Sequence, residues 1–268
     1  MDSPWVTSVS RWLACVLYCA TALAEQHSLT QSVGIVVTTY DRPEYLAQTL
    51  SDLPRTIIPN NALLEVVLVS DAHAEDTCRQ MVEAFEWPTV TLHKVFHQTN
   101  VGVAKALKSG FDRLSPQHPF YTNLDSDVRL HPEWLIRLME GYQRCSTQYG
   151  TILLSGFNTK AHEPLEVHEG YVIKKSLGGV NLFFDQEFLQ AWFLPSLALE
   201  KAWDWHLVDL CRLHQIPMLA LSPSVVQHIG ATGMNSVGGK LPNGDPFDTA
   251  DDFLEELEQA GTPLKTAQ

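Results

Sequence analysis

Apolar runs and helical periodicities alternate along the chain from about residue 33 onward. Four mostly apolar runs rich in β-branched residues predict buried strands, at 34–39, 64–69, 90–96 and 120–124. The segments between them carry apolar residues at helical spacing, as in the series Leu46, Leu50 and Leu53. Such strand–helix alternation is typical of a parallel sheet covered by helices.

After residue 141 the alternation becomes less regular. Runs at 151–156, 179–184 and 218–221 predict three further strands, and a helix is predicted over 201–214. Between the first two runs lies a polar segment, which contains His162, Glu163, Glu166, His168 and Glu169. Their spacing matches no familiar set of metal ligands, so the segment is interpreted as a solvated loop or hairpin. We expect one domain over 29–240 and a tail over 241–268 with a short acidic helix around 250–259.

Residues 1–28 form an apolar extension with a different character. The apolar run of residues 12–24 follows a single basic residue, Arg11, and ends in small residues, as in a weak signal peptide. However, the run is too short to span a bilayer comfortably, and Asp2 opposes the positive charge of an export signal. Three interpretations stay open: a packed or peripheral helix, a cleaved signal, or an anchor. The first predicts a cytoplasmic protein, membrane-associated if residues 5–24 contact a membrane surface.

Charge and cysteine content narrow the classes of partner. The formal net charge of −13 over 268 residues argues against nucleic acid or an anionic membrane as the main partner. The five cysteines are widely spread and form no CxxC pair, so they predict neither a zinc ribbon nor a disulfide scaffold: Cys15, Cys19, Cys78, Cys145 and Cys211. Buried thiols in a reducing compartment are expected.

Two acids, Asp125 and Asp127, follow the strand predicted at 120–124. Open α/β sheets bind ligands at the carboxyl ends of their strands. Two neighbouring carboxylates repel each other unless a cation or proton lies between them, and a hard divalent metal carrying phosphate oxygens suits that position. The alternative is a polar turn leading into the helix predicted to begin at residues 131–133.

Five separated motifs resemble those of the GT-A glycosyltransferases of family 2. They lie in the same order as in that family, at 36–43, 67–71, 100–104, 124–127 and 203–205. The resemblance implies a GT-A (Rossmann-like) α/β fold, with a mostly parallel central sheet flanked by helices. The expected architecture is a single domain of this fold with residues 1–28 as an N-terminal helical extension.

The resemblance also implies roles on the donor side. Donor-binding positions would be Thr39, Tyr40, Asp41, Asp71, Asn100, Gly102, Lys105 and Asp125. Ser70 stands where the family usually has an aspartate. Mn²⁺ or Mg²⁺ would be bound by Asp125, Asp127 and His228, and would neutralise charge on the leaving nucleoside diphosphate.

On the acceptor side, Asp204 matches the family's general base, which implies an inverting reaction. A position near a helix N-terminus would keep that carboxylate ionised. The family usually has Glu-Asp where this chain has Trp203-Asp204, so Trp203 or Trp205 is a candidate to stack on a sugar ring. Gly178 and Gly179 resemble the glycine turn that lines the acceptor side.

The resemblance therefore predicts a metal-dependent enzyme that moves a sugar from a nucleotide-diphospho-sugar to a hydroxyl of a glycan, lipid-linked or other acceptor. Two other functions stay open. The first is a non-catalytic relative that binds nucleotide sugars, which the replacement of the family's glutamate by Trp203 and of its aspartate by Ser70 favours. The second is a sugar-phosphate nucleotidyltransferase, which is disfavoured because residues 38–43 lack the glycines of a phosphate loop.

Overall fold

The computed structural model describes residues 32–59, 62–72, 77–198, 202–230 and Phe253. Eleven strands lie within these ranges: β1 Val33–Thr39, β2 Leu64–Ser70, β3 Thr91–Phe96, β4 Phe120–Asp125, β5 Val128–Leu130, β6 Leu153–Ser155, β7 Pro164–His168, β8 Tyr171–Lys174, β9 Asn181–Asp185, β10 Met218–Leu221 and β11 Val226–His228. The helices are α1 Pro43–Asp52, α2 Thr77–Ala84, α3 Val103–Arg113, α4 Trp134–Tyr149, α5 Gln186–Phe188, α6 Leu194–Ser196 and α7 Trp203–Leu213, with a 3₁₀ turn at Leu53–Arg55 and a π-helical turn at Leu189–Phe193.

Nine strands form one sheet in the order β3-β2-β1-β4-β9-β6-β10-β8-β7. Strands β3, β2, β1 and β4 are all parallel, and we call them the parallel half. Strands β9, β6, β10, β8 and β7 are mostly antiparallel, with only β6 and β10 parallel, and we call them the mixed half. Strands β5 and β11 pair separately as an antiparallel ribbon.

Helices cover both faces of the sheet, as the predicted α/β fold class requires. On one face, Leu46 of α1 and Leu138 of α4 belong to the same buried cluster as Phe253. On the other face, Leu107 of α3 and Leu207 of α7 belong to a second buried cluster. The apolar periodicity of each helix is therefore explained by the face of the sheet against which it packs.

Two asparagines join the two halves of the sheet where β4 meets β9. Asn123 and Asn181 are fully buried. Asn123 Nδ2 donates to Gly179 O at 2.6 Å, and Asn181 Nδ2 donates to Asn123 O and to Thr122 Oγ1, both at 3.0 Å. Asn181 Oδ1 also accepts from Gly156 N at 2.9 Å, which links β9 to the end of β6. Buried amides of this kind fix a strand's register because no other register satisfies them.

A buried acid also joins the amino ends of the parallel strands, at the edge of the sheet opposite Asp125. Glu65 of β2 is 7% exposed. Its two carboxylate oxygens accept from His93 Nε2 at 2.8 Å and from His118 Nε2 at 2.7 Å. Ser115 N also donates to Glu65 at 3.0 Å. These hydrogen bonds to His118 and Ser115 outweigh the effect of burial and lower the pKa of Glu65 to about 2.

Two local features differ from what the sequence pattern indicates. The N-cap of α1 is Arg42, which lies in the left-handed region and makes no side-chain cap hydrogen bond. The helix predicted to begin at residues 131–133 begins at Trp134, and the strand β5 occupies Val128–Leu130 before it. The His- and Glu-rich segment forms the hairpin of β7 and β8, as one of its two interpretations predicted.

Several predictions lie outside the described residues: the extension over 1–28, its membrane contact, and the tail over 241–268 apart from Phe253. None of the helices that the structure describes has both the length and the apolar character needed to cross a membrane. The described cysteines are buried free thiols, Cys78, Cys145 and Cys211.

Candidate functional site

The two acids lie where β4 ends and β5 begins. Asp125 is the last residue of β4, and its N–H donates to Val180 O at 2.9 Å. The ribbon partner β11 pairs His228 with Val128, and Ile229 N donates to Asp127 O at 2.8 Å. This pairing brings the late histidine next to the second acid.

The carboxylate of Asp127 is held from three directions. It is 2% exposed, and its Oδ2 accepts from His228 Nε2 at 3.1 Å and pairs with Arg42 Nη1 at 2.7 Å. Gly230 packs directly against the same carboxylate, because a Cβ at residue 230 would overlap Asp127 Oδ2. The acid therefore has one well-defined position in the structure.

Arg42 is a site residue that the sequence analysis missed. Its backbone has φ of +63°, in the left-handed region that non-glycine residues rarely occupy. This conformation turns its guanidinium toward Asp127 while Pro43 begins α1. The only available signal was its place in the motif at 36–43, since an arginine before a proline is otherwise typical of a solvated helix start.

The site groups shift each other's ionisation. Burial raises the pKa of Asp125 above its usual range, and the charge of Asp127 raises it further. Burial alone would also raise the pKa of Asp127, but the hydrogen bond from His228 and the positive charge of Arg42 lower it. Burial alone would lower the pKa of His228, but both acids raise it. One negative charge, on Asp127, is thus well stabilised, whereas a second on Asp125 is not.

These residues fit a divalent cation by the chemistry of their donor atoms. Two carboxylates and an imidazole suit Mn²⁺, and carboxylates alone suit Mg²⁺. A cation would also favour the ionised form of Asp125, which burial and the charge of Asp127 disfavour. Within the described ranges, no three such side chains already converge as a metal-binding group. Cation binding would therefore replace the contacts that Arg42 and His228 make with Asp127.

Other donor-side predictions fall on a turn at the ends of β2 and β3. Asp71 is 4% exposed, and its carboxylate accepts from the N–H groups of Val101 and Gly102, both at 2.9 Å. Asn100 Oδ1 also accepts from Gly102 N at 2.9 Å. Gly102 has φ of +83°, so glycine is favoured at the N-cap of α3. Asp71 therefore shapes the turn by which the donor is predicted to bind.

The remaining donor-side residues surround the same edge of the sheet. Thr39 is buried at the end of β1, and its carbonyl accepts from Asp71 N at 2.8 Å. Tyr40 and Asp41 follow it and are half-buried, and Asp41 pairs with Arg42 at 3.3 Å. Lys105 is exposed in the first turn of α3.

The acceptor-side residues meet where the 178–179 turn packs on the start of α7. A Cβ at Gly179 would lie 2.7 Å from the Trp203 ring and 3.4 Å from Asp204 Cβ. Trp203 is 5% exposed and packs on Phe193, with 5.5 Å between ring centroids. Because Trp203 is a core residue, it presents no face to a sugar, and that prediction is wrong. Trp205 is 51% exposed and does present a face.

Asp204 lies in the first turn of α7, and its Oδ1 accepts from Trp205 N at 2.9 Å. Burial raises the pKa of Asp204, so its position near the helix N-terminus does not lower that pKa as predicted. Its negative charge also adds to the raised pKa of Asp125, which indicates that the predicted base and the acids are electrostatically coupled.

Solved structures with a similar fold include two that contain UDP. TarS 1-349 from S. aureus in complex with UDP has a TM-score of 0.53 and 18% identity, over 73% of this chain and 59% of that one. GalNAc-T7 with UDP, GalNAc and Mn²⁺ has a TM-score of 0.60 and 13% identity, over 85% of this chain and 48% of that one. This chain thus spans about half the length of these structures, and the likeness confirms the predicted fold class.

No curated protein sequence matches the chain. The model of the family described as "Glycosyl transferase family 2" matches residues 34–182, which is more than half of the chain. The match contains the motifs at 36–43, 67–71, 100–104 and 124–127, so four of the five motifs that suggested the family lie inside it. The chain belongs to glycosyltransferase family 2.

Proposed function

We propose that this protein is a metal-dependent glycosyltransferase that moves a sugar from a nucleotide-diphospho-sugar to an acceptor hydroxyl, with inversion. The observation that carries the proposal is the contact between His228 and Asp127 just after β4, beside Asp125, whose pKa responds to the charges of both. Two solved structures of similar fold contain UDP, and one of them also contains Mn²⁺, which supports the same class of donor.

On the donor side, Asp125, Asp127 and His228 would hold Mn²⁺ or Mg²⁺ against the diphosphate. The cation supplies Lewis-acid stabilisation of the leaving nucleoside diphosphate. Arg42, which pairs with Asp127 at 2.7 Å, would form charge-assisted hydrogen bonds with that diphosphate. The turn of Asn100 and Gly102, shaped by Asp71, would receive the nucleotide along its backbone.

On the acceptor side, Asp204 would accept the proton of the acceptor hydroxyl as that oxygen attacks the anomeric carbon. The new C–O bond forms on the face opposite the leaving diphosphate, which departs with the electrons of the broken bond. The raised pKa of Asp204 supports this role, because a carboxylate that binds a proton more strongly is a better base as long as it is ionised. The acceptor would be a glycan, lipid-linked or other hydroxyl compound.

Thermal unfolding tests the donor half of this proposal. We expect UDP or another nucleoside diphosphate to raise the melting temperature when Mn²⁺ is present and much less when it is absent, because a ligand of the native state stabilises it. In assays with a panel of sugar nucleotides, we then expect the protein to release the nucleoside diphosphate from at least one of them. A protein that no nucleoside diphosphate stabilises, with or without metal, would contradict the proposal. The cytoplasmic location and the membrane contact of residues 5–24 stay predictions from the sequence.

A further inference from the structure

His162 belongs to a segment that was interpreted as solvated, yet buried groups hold its ring in place. His162 Nδ1 lies 2.7 Å from the hydroxyl of Ser176, which is 6% exposed. Lys174 is also buried, at 5% exposed, and its ammonium donates to Thr159 O at 2.9 Å and to His162 O at 3.0 Å. The imidazole and the backbone that carries it are therefore both fixed.

The fixed ring points into the acceptor side of the site. A Cβ at Gly178 would lie 3.2 Å from His162 Nε2, so the absence of a side chain at residue 178 leaves this nitrogen room. The centroid of the imidazole is 6.3 Å from that of the exposed Trp205 ring, at an interplanar angle of 53°. Gly179, the next residue, packs on Asp204. An imidazole, an indole and a carboxylate thus border one stretch of surface.

The imidazole brings hydrogen-bonding capacity without charge. Burial and the nearby charge of Lys174 lower the pKa of His162 to about 4, so the ring is neutral at pH 7. Because Nδ1 is occupied by Ser176, Nε2 is the atom that remains for a ligand. Its role as donor or acceptor is set by which way the Ser176 hydroxyl proton points.

We propose that Trp205 and His162 form a subsite for a neutral sugar ring of the acceptor. This inference rests on the proposed glycosyltransferase function and specifies its acceptor. The exposed indole face packs against the C–H face of the sugar ring, and His162 Nε2 hydrogen-bonds a hydroxyl at the ring's edge.

The combination selects against other acceptor classes. A hydrocarbon chain would cover the indole but leave the imidazole without a hydrogen-bond partner, which is costly when the group loses water. An anionic acceptor such as a phosphorylated or carboxylated polymer would gain no charge pairing from a neutral ring and would meet the negative charge of Asp204. A ring that carries hydroxyls and no charge satisfies both groups.

Binding of simple glycosides tests the subsite directly. The probes are the methyl glycosides of glucose, galactose, N-acetylglucosamine and N-acetylgalactosamine, with methyl glucuronide as the anionic comparison. Saturation-transfer NMR titrations are run with and without UDP and Mn²⁺. We expect at least one neutral glycoside to bind more tightly than the glucuronide, and its Kd to rise by about tenfold in His162→Ala and in Trp205→Ala.

The chain offers a matched control at the other end of α7. His214 lies against the ring of Trp192, with 4.2 Å between centroids, so His214→Ala removes an imidazole from an indole outside the site. This control should leave the glycoside Kd unchanged, and His162→Gln, which can place an amide near the former Nε2, should restore part of the affinity. Melting temperatures of all variants separate lost binding from lost folding.

The subsite is overturned if no neutral glycoside binds the wild-type protein, if the glucuronide binds more tightly, or if folded His162→Ala and Trp205→Ala proteins bind as the wild type does. UDP binding is measured separately. Protein that binds no nucleoside diphosphate contradicts the proposed function, whereas protein that binds UDP but no glycoside contradicts the acceptor subsite alone.

Discussion

The parallel half and the mixed half of the sheet are held together by different kinds of contact. Strands β1 and β2 are buried along their whole length and pair residue by residue from Val33 with Leu64 to Thr39 with Ser70. In the mixed half, β6 and β9 share only the pair Leu154 and Phe183, and the edge strand β7 leaves Leu165 and Val167 exposed. The first half owes its geometry to backbone ladders, and the second owes much of its geometry to individual side chains.

This difference matches the two halves of the proposed reaction. Donor-side groups follow the ends of β1, β2, β3 and β4, where a rigid parallel platform positions them. Acceptor-side groups come from the 178–179 turn, from α7 and from the loop before β7, which pack on one another through glycines and single hydrogen bonds. We infer that variation in the mixed half can change the acceptor while the donor platform stays the same.

The largest expected effect tests the proposed donor-side role of Asp127. Asp127→Ala removes the carboxylate that Arg42 and His228 share, and we expect the release of nucleoside diphosphate from sugar nucleotides to fall by at least ~10³-fold, because Lewis-acid stabilisation is lost. Asp112→Ala, an exposed acid that pairs with Lys108 on α3, is the control and should retain activity. Normal turnover by folded Asp127→Ala protein would contradict the donor assignment.

The next test separates the halves. Asp204→Asn should reduce transfer to an acceptor by roughly 10²–10³-fold, because the base is lost, while the affinity for the nucleoside diphosphate stays near that of the wild type. Transfer and UDP binding are measured on the same preparation. Asp209→Asn, on the same helix and exposed, is the matched control. If Asp204→Asn weakens UDP binding as much as transfer, the division of roles between the halves is wrong.

A third test concerns Asn181, which helps to join the two halves of the sheet where β4 meets β9. Asn181→Ala leaves Gly156 N and Asn123 O without their buried partner, so we expect the free energy of unfolding to fall by roughly 4 kcal/mol. Urea unfolding followed by circular dichroism measures the change. Asn158→Ala, at a half-buried residue, should cost less than ~0.5 kcal/mol. Equal effects of the two substitutions would mean that the contact between β4 and β9 does not depend on the hydrogen bonds of the Asn181 side chain.

The smallest expected effect concerns Glu65, at the amino ends of the parallel strands. The pKa of Glu65 in the folded protein is about 2, below its ordinary value of 4.5, so its ionised form stabilises the fold above pH 4.5 and that contribution disappears as the pH falls toward 2. Glu65→Gln should therefore lower the free energy of unfolding at pH 7 by about 3 kcal/mol.

The same variant should show a shallower loss of stability than the wild type between about pH 5 and pH 2. Urea unfolding at a series of pH values measures both effects. Glu83→Gln, an exposed acid paired with Arg79, is the control and should follow the wild-type curve. A Glu65→Gln protein with the wild-type pH dependence would show that another group titrates with folding.

How much the sequence predicted also differs between the halves. Strands β1, β2 and β4 were predicted within a few residues because a buried parallel strand needs a continuous apolar run, which is visible locally. Strand β3 was placed correctly, but the prediction that it is buried is wrong, because it lies at the edge of the sheet and its residues are exposed or half-buried. The short ribbon of β5 and β11 was not predicted, because three-residue strands carry little pattern and their pairing joins residues far apart in the chain.

The sequence predicts the acids of the candidate site but not their contacts. The spacing of Asp125 and Asp127 after a strand is a local signal, and the family resemblance added His228 and Asp204. The role of Arg42 depends on a left-handed backbone conformation, and the burial of Trp203 depends on packing against Phe193. Neither is encoded in neighbouring residues, so single-sequence patterns could not distinguish the core Trp203 from the exposed Trp205.

The hydrogen bond between His228 and Asp127 joins residues 101 positions apart. A nascent polypeptide would therefore present both acids, and could complete most of the parallel strands, well before the ribosome delivers the imidazole. A contact between residues so far apart in the chain forms slowly, because a long loop must close first. A chain that stops before residue 228 would lack this bond, so the proposed metal-binding group would be complete only once that residue has been synthesised.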